Sequence, residues 1–261
     1  MSYINYKDVK ITYGSDEVLC RDLTMDCSNS LEDSKTRAAN KTGVVYGTER
    51  PVTRINLNYL IGSGGDPFYK DFEEIFNGNA NISEFESQTL LIGSSEFTGL
   101  YPESLSISAS ENSFFNASVN LVAYSIITGQ LLADESPNSE VFEADIDIGH
   151  SANSPLVGAT GTSITLNCSI QQNPIYLLGS SGAPGFVDII SRRKECNVNA
   201  SGFSNFVEIN GGEDVEISLT VNSLNGEPLQ DYGFTGKVQS TNMSLSAGDV
   251  ASVDMSLVSF I

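Results

Sequence analysis

The chain has 261 residues, 40% hydrophobic and 18% charged, with 33 acids against 13 bases and a formal charge of −20. At that length a single core stops growing, so two domains of roughly 120 residues each are expected. So acidic a chain lacks the basic footprint that gripping DNA or RNA requires, which sets that class of function aside.

Residues 1–20 hold no apolar run, so no secretory signal is expected, and no stretch is long enough to span a membrane. The four cysteines (Cys20, Cys27, Cys168 and Cys196) then read as free, buried thiols made in a reducing compartment. From 18 to 28, Val18, Leu19, Leu23, Met25 and Cys27 alternate with polar residues, as in a half-buried strand. A long polar arm follows from Asn29 to Pro51, carrying Lys35, Arg37, Lys41 and Arg50. Connections of that length inside a compact domain are uncommon and tend to be functional or mobile.

Ile55, Leu57 and Tyr59 make the next strand. Asp66 to Gly78 predicts the one clear helix, with Asp66 as N-cap, Pro67 at N1 and Gly78 after the last turn. Phe68, Phe72, Ile75 and Phe76 form its apolar stripe. A Phe-rich stripe at this spacing is core rather than ligand pocket, so the helix is expected to pack on a sheet. Strand patterns resume at 89–92, then in a hairpin of Leu105–Ala109 and Phe115–Leu121 turning at 110–112.

The segment 134–154 reads as an acidic linker. Within it Phe142, Ala144, Ile146 and Ile148 alternate with Glu143, Asp145 and Asp147, an acidic strand face. Carboxylates two residues apart on a strand lie about 6–7 Å from each other, close enough to share a hard cation, although a solvated face is the simpler expectation. Beyond it, 186–190, 215–221, 243–247 and 253–257 read as strands. From Asp71 to Ser191 there is no Lys or Arg, against fifteen acids.

The second half echoes the first. Leu23-Thr-Met-Asp-Cys-Ser28 returns as Ile164-Thr-Leu-Asn-Cys-Ser169, and Ile55–Tyr59 as Cys196–Ala200, both at an offset of 141. Phe97-Thr-Gly99 returns as Phe234-Thr-Gly236, and Leu105–Ala109 as Met243–Ala247, at offsets of 137 and 138. Four anchors in one order indicate an internal duplication of a whole domain. The expected fold is therefore mainly β: two tandem homologous β-sandwich or barrel domains, 1–133 and 155–261, the first with one flanking helix.

Chemistry finds little purchase. Xaa-Thr-Gly in each half invites comparison with bilobal aspartic proteases, but Phe97 and Phe234 stand where the carboxylates would have to be. His150 is the only histidine, with no nucleophile or metal-ligand motif around it. Phosphate-binding glycine loops are absent. No enzyme activity, cofactor or metal is expected.

The strand at Leu23–Ser28, the long arm, the strand at Ile55–Tyr59, the Phe68–Phe76 helix and the closing hairpin at 105–124 together resemble the tail tube (major tail) proteins of long-tailed bacteriophages. The resemblance implies β-sandwich or barrel domains assembled as hexameric rings, or trimeric rings when the domain is duplicated, stacked into a tube that conducts DNA. It implies a virion location in the tail, synthesis in the host cytoplasm, and as partners further copies of the chain and other tail proteins, with no membrane. On this view Lys35, Arg37, Lys41 and Arg50 reach the adjacent ring, and an acidic face including Glu143, Asp145 and Asp147 lines the lumen and repels phosphate. A neck, tail-terminator or baseplate ring is the alternative within virion structure. A Ca²⁺-dependent adhesin or carbohydrate-binding tandem module is the alternative from another class.

Overall fold

The computed structural model describes residues 10–28, 31–34, 44–47, 51–62, 65–78, 89–110, 113–124, 145–150, 160–178, 184–202, 214–222, 228–245 and 251–260. In chain order the elements are β1 (Ile11–Tyr13), β2 (Asp16–Glu17), β3 (Leu19–Ser28), β4 (Leu31–Ser34), β5 (Val44–Gly47) and β6 (Val52–Leu60). Then come α1 (Tyr69–Asn77), β7 (Leu90–Ile92), β8 (Ser95–Phe97), β9 (Tyr101–Ser110) and β10 (Asn116–Ala123). The second half supplies β11 (Asp145–His150), β12 (Thr160–Ile175), β13 (Phe186–Ser201), β14 (Asp214–Asn222), β15 (Pro228–Ser244) and β16 (Ser252–Phe260). The protein is mainly β, and every strand pairing is antiparallel.

Ten strands form one sheet in the order β11-β14-β15-β16-β13-β12-β9-β10-β6-β3. A four-stranded sheet, β2-β1-β7-β8, and the β4-β5 pair within the arm complete the set. The expected barrel does not close, because β11 and β3 end the large sheet without pairing to each other. The sheet does fold over itself. Phe115, just before β10, and Tyr232 on β15 are five strand positions apart, about 24 Å in a flat sheet, yet their rings lie 5.8 Å apart. A register shift in β15 between Val238 and Ser240 lies next to Lys237, where its pairing passes from β14 to β16; bulges are a usual device by which a strand bends from one layer into another.

The alternation seen in the sequence explains the strands. On β6, Thr53, Ile55, Leu57 and Tyr59 are buried while Arg54 and Asn58 are exposed, so one face of a pleated strand meets the core and the other does not. The helix starts two residues later than expected, at Tyr69 with Phe68 as its cap residue. Asp66 still organises that end: its Oδ1 accepts hydrogen bonds from the Phe68 and Tyr69 amides at 2.9 and 3.3 Å. All four stripe residues are buried, each contributing about 1.5–3 kcal/mol relative to exposure.

One continuous core contains residues of both halves. Phe68 stacks on Tyr13 of β1 (4.3 Å) and tilts against Tyr59 of β6 (5.3 Å), so α1 sits between the small sheet and the large one. The second half closes over the same helix. Tyr232 meets Tyr69 edge-on at 4.5 Å, Lys194 Nζ lies 4.9 Å from the Phe76 ring centroid, and Arg192 Nη1 donates to the Gly78 carbonyl at 3.4 Å.

The strand order β9-β10-β6-β3 is matched by β15-β16-β13-β12. Register matches too: Leu23, Thr24 and Met25 pair with Leu57, Asn56 and Ile55, while Ile164, Thr165 and Leu166 pair with Val198, Asn197 and Cys196. Each partner is displaced by the same 141 positions. Even the irregularity recurs, a bulge between Cys20 and Asp22 and another between Gly161 and Ser163. Phe97 pairs with Leu90 on β7 as Phe234 pairs with Ile217 on β14, so β8 and β9 together correspond to the single long β15. Gly99, with φ of +67°, breaks the first. Its counterpart Gly236 stays in strand, where an added Cβ would lie 2.5 Å from the Phe234 ring and 2.9 Å from the Val258 carbonyl oxygen.

Candidate functional site

The sheet's second face is not used by the core. Side chains that alternate away from the core are Asn56 and Asn58 on β6, Ser118 and Asn120 on β10, and Ser104, Ser106 and Ser108 on β9. The second half continues the row with Thr165 and Asn167 on β12, Asn197 and Asn199 on β13, Ser256 on β16, and Ser240 and Asn242 on β15. Short Ser, Thr and Asn side chains opposite one another hydrogen-bond across strands. Asn56 Nδ2 donates to Asn120 Oδ1 (2.6 Å), Asn120 Nδ2 to Ser104 Oγ (2.7 Å), and Ser106 Oγ to Asn167 Oδ1 (2.7 Å). The charges that do occur there include close opposite pairs, Arg54–Glu103 at 3.6 Å and Arg193–Glu195 at 2.8 Å. Two shallow depressions on this face lie at corresponding places, one beside Asp22 and Asn58, the other beside Ser163 and Asn199.

The internal joint between the halves is the pairing of β12 with β9, seven residue pairs from Ser163↔Ser110 to Ser169↔Ser104. On its core side Leu105, Ile107, Leu166 and Cys168 are all buried. It leaves β3, the counterpart of β12, as an end strand of the sheet. Beyond Lys237, β15 pairs only with β16 among the described residues, on the side away from β14.

The expected burial of all four thiols holds for Cys168 and Cys196 and fails for the other two. Cys27 is exposed and Cys20 half-buried, because among the described residues β3 has a neighbouring strand on one side only. Burial pushes the Cys168 and Cys196 thiols up to about 12. Within the core, the Tyr59 hydroxyl donates to Asp66 Oδ1 at 2.9 Å and Tyr13 donates to Asp71. Desolvation raises Asp66 to about 6 despite the hydrogen bonds that favour its anion, and holds the Tyr59 hydroxyl well above its usual value. Asp66 caps the helix, and both carboxylates pack within the core.

Of the residues singled out in the sequence, Lys35, Arg37, Lys41, Arg50 and Glu143 lie outside the described residues. The arm's described parts, β4 and β5, pair as a hairpin. In the second half the corresponding place is the outer end of the β12–β13 hairpin, out to Ile175↔Phe186, which alternation alone does not separate from the rest of those strands. Asp145 and Asp147 fall on β11, opposite Asn222 and Thr220 of β14. Among the described residues no group of three or more His, Cys, Asp or Glu residues is arranged to hold a metal, and no helix is long and apolar enough to cross a membrane. Comparison with known proteins finds no matching family model and no matching curated protein.

Proposed function

We propose that the chain is a tandem duplication of one β domain and a structural virion protein, forming rings that stack into a phage tail tube. The observation that carries this reading is the joint between β9 and β12. Two units with one strand order and one register meet edge to edge in a single sheet, and among the described residues no further strand pairs with the counterparts of the two joined edges, on β3 and on β15 beyond Lys237. An interface that is heterologous, head to tail, generates a ring when the rotation closes. Three chains then present six pseudo-equivalent units. In such a ring the helix and small sheet, which occupy the core side, face outward, because only then is a hole left.

The lumen is then lined by the Ser/Thr/Asn face. Neutral hydroxyls and amides, with no run of Lys or Arg, give a passing duplex nothing to neutralise its phosphates, so cargo is not retained. The basic arm and the acidic strand around Glu143, Asp145 and Asp147 are assigned to contacts between rings and to the electrostatic character of the tube. Other tail proteins are the further partners, and no enzyme activity belongs to this role. Negative-stain microscopy of the purified chain tests it. Long tubes are expected, single rings that do not stack indicate a neck, terminator or baseplate component, and dispersed monomers at every concentration refute both.

A further inference from the structure

We propose that the β3 edge of one chain pairs antiparallel with the outer edge of β15 in a second copy, in the register that β12 takes on β9. Displacing that internal joint by the repeat offsets, 141 on one side and 138 on the other, sets Met25 opposite Leu245, Asp26 opposite Ser244, Cys27 opposite Met243 and Ser28 opposite Asn242. The inference specifies the contact within the ring-forming role proposed above, and rests on self-assembly rather than on stacking into a tube.

The burial contrast between repeats identifies the occupant. Leu166 and Cys168 are 3% and 2% exposed, and across the joint Leu105 and Ile107 are each 1% exposed. Their counterparts, on the end strand β3 and on the part of β15 beyond its pairing with β14, are open: Met25 at 38%, Cys27 exposed, Met243 at 37% and Leu245 at 73%. All four lie on the core side, since Met25 pairs with buried Ile55 and Met243 with buried Val253. Each edge therefore carries the apolar half of a joint the molecule already makes once, and the half it lacks is on the other edge. Unpaired edges bearing apolar side chains are ready templates for strand addition. Polar chemistry matches as well. Ser106 Oγ donates to Asn167 Oδ1 in the internal joint, and the corresponding pair is Ser244 with Asp26, a hydroxyl donor facing a carboxylate acceptor.

Cys27 makes the register testable in the full-length chain. Directly opposed residues of an antiparallel pair have Cα atoms about 4.5–5.5 Å apart, inside the range a disulfide spans. Met243→Cys, oxidised mildly after assembly, is expected to give a ladder of dimers and larger species on a non-reducing gel. Adding Cys27→Ala removes the ladder, and Thr241→Cys or Leu245→Cys in place of Met243→Cys gives little, being two residues out of register. A second variant, Met25→Cys with Leu245→Cys in a Cys27→Ala background, reproduces the ladder if Met243→Cys proves poorly folded. Crosslinking that stops at dimers indicates a symmetric contact. A faster-migrating monomer indicates pairing within one chain. Equal crosslinking from positions 241, 243 and 245 indicates no fixed register. Each overturns the proposal, as does the absence of any crosslink. Tubes in the microscope without the ladder leave the tube reading standing and refute this joint; a ladder from rings that never stack does the reverse.

Discussion

Replacing Asp66 with asparagine probes a charged group buried in the core. Asp66 is 2% exposed and caps the start of α1 through the Phe68 and Tyr69 amides, with the Tyr59 hydroxyl as third donor to the same oxygen. Desolvation raises its pKa from 3.8 to about 6. Between those values the folded chain holds a proton that the unfolded chain has released. Stability contributed by this residue is therefore highest below the unfolded value, falls as pH climbs through the window, and is level again above about 6. Two units correspond to roughly 3 kcal/mol lost at neutral pH. Asparagine keeps the acceptor oxygen and removes the charge, while its own amide protons, buried, take back about 1 kcal/mol. The expected net gain at pH 7 is about 2 kcal/mol, or about 4–8 °C in Tm for a chain of this size. With 33 acids the whole protein responds to pH, so the quantity to measure is the difference in Tm between variant and parent. It should rise from pH 4 to pH 6.5 and then level. A difference that is flat with pH, or an Asp66→Asn variant less stable than the parent at pH 7, would show that the carboxylate is not held raised by burial.

Tyr232 joins the second half to the helix and to Phe115. Tyr232→Ala should cost about 3–5 kcal/mol, as for other buried aromatics, read as a lowered denaturant midpoint; a loss below 1 kcal/mol would mean the two halves do not share a core. Thiol titration of the unassembled native chain should find Cys27 fast and Cys168 and Cys196 silent until denaturant is added, since only Cys27 is exposed and the other two are raised by burial. Rapid labelling of either buried thiol under native conditions would contradict the placement of β12 and β13.

The helix and most strands are legible in the sequence because their signals are local. A Phe68, Phe72, Ile75, Phe76 stripe ahead of Gly78 fixes α1 within three residues, and strict alternation marks β6, β9, β10 and β16. The fate of Cys27 and Cys168 is not local. Both sit in the same six-residue pattern, yet one is exposed and the other buried, because among the described residues β12 has neighbouring strands on both sides and β3 has one. Edge position is a property of the sheet, and no window of the sequence carries it. The correspondence of β8 and β9 with β15 is hidden for a similar reason: the same Phe-Thr-Gly bends the chain at Gly99 and stays extended at Gly236. The polar face is not legible as one surface, since Ser, Thr and Asn scattered at alternate positions look like ordinary solvent-facing residues until seven strands align them.

Hydrogen–deuterium exchange on the full-length chain, below and above the concentration at which it assembles, tests the central claim that the sheet continues from one copy to the next. The alternate amides of 22–28 on β3 and of 240–245 at the end of β15 that point away from β6 and β16 should exchange quickly in the monomer and become protected together on assembly. Assembly that protects other segments while both edges keep exchanging freely would contradict it.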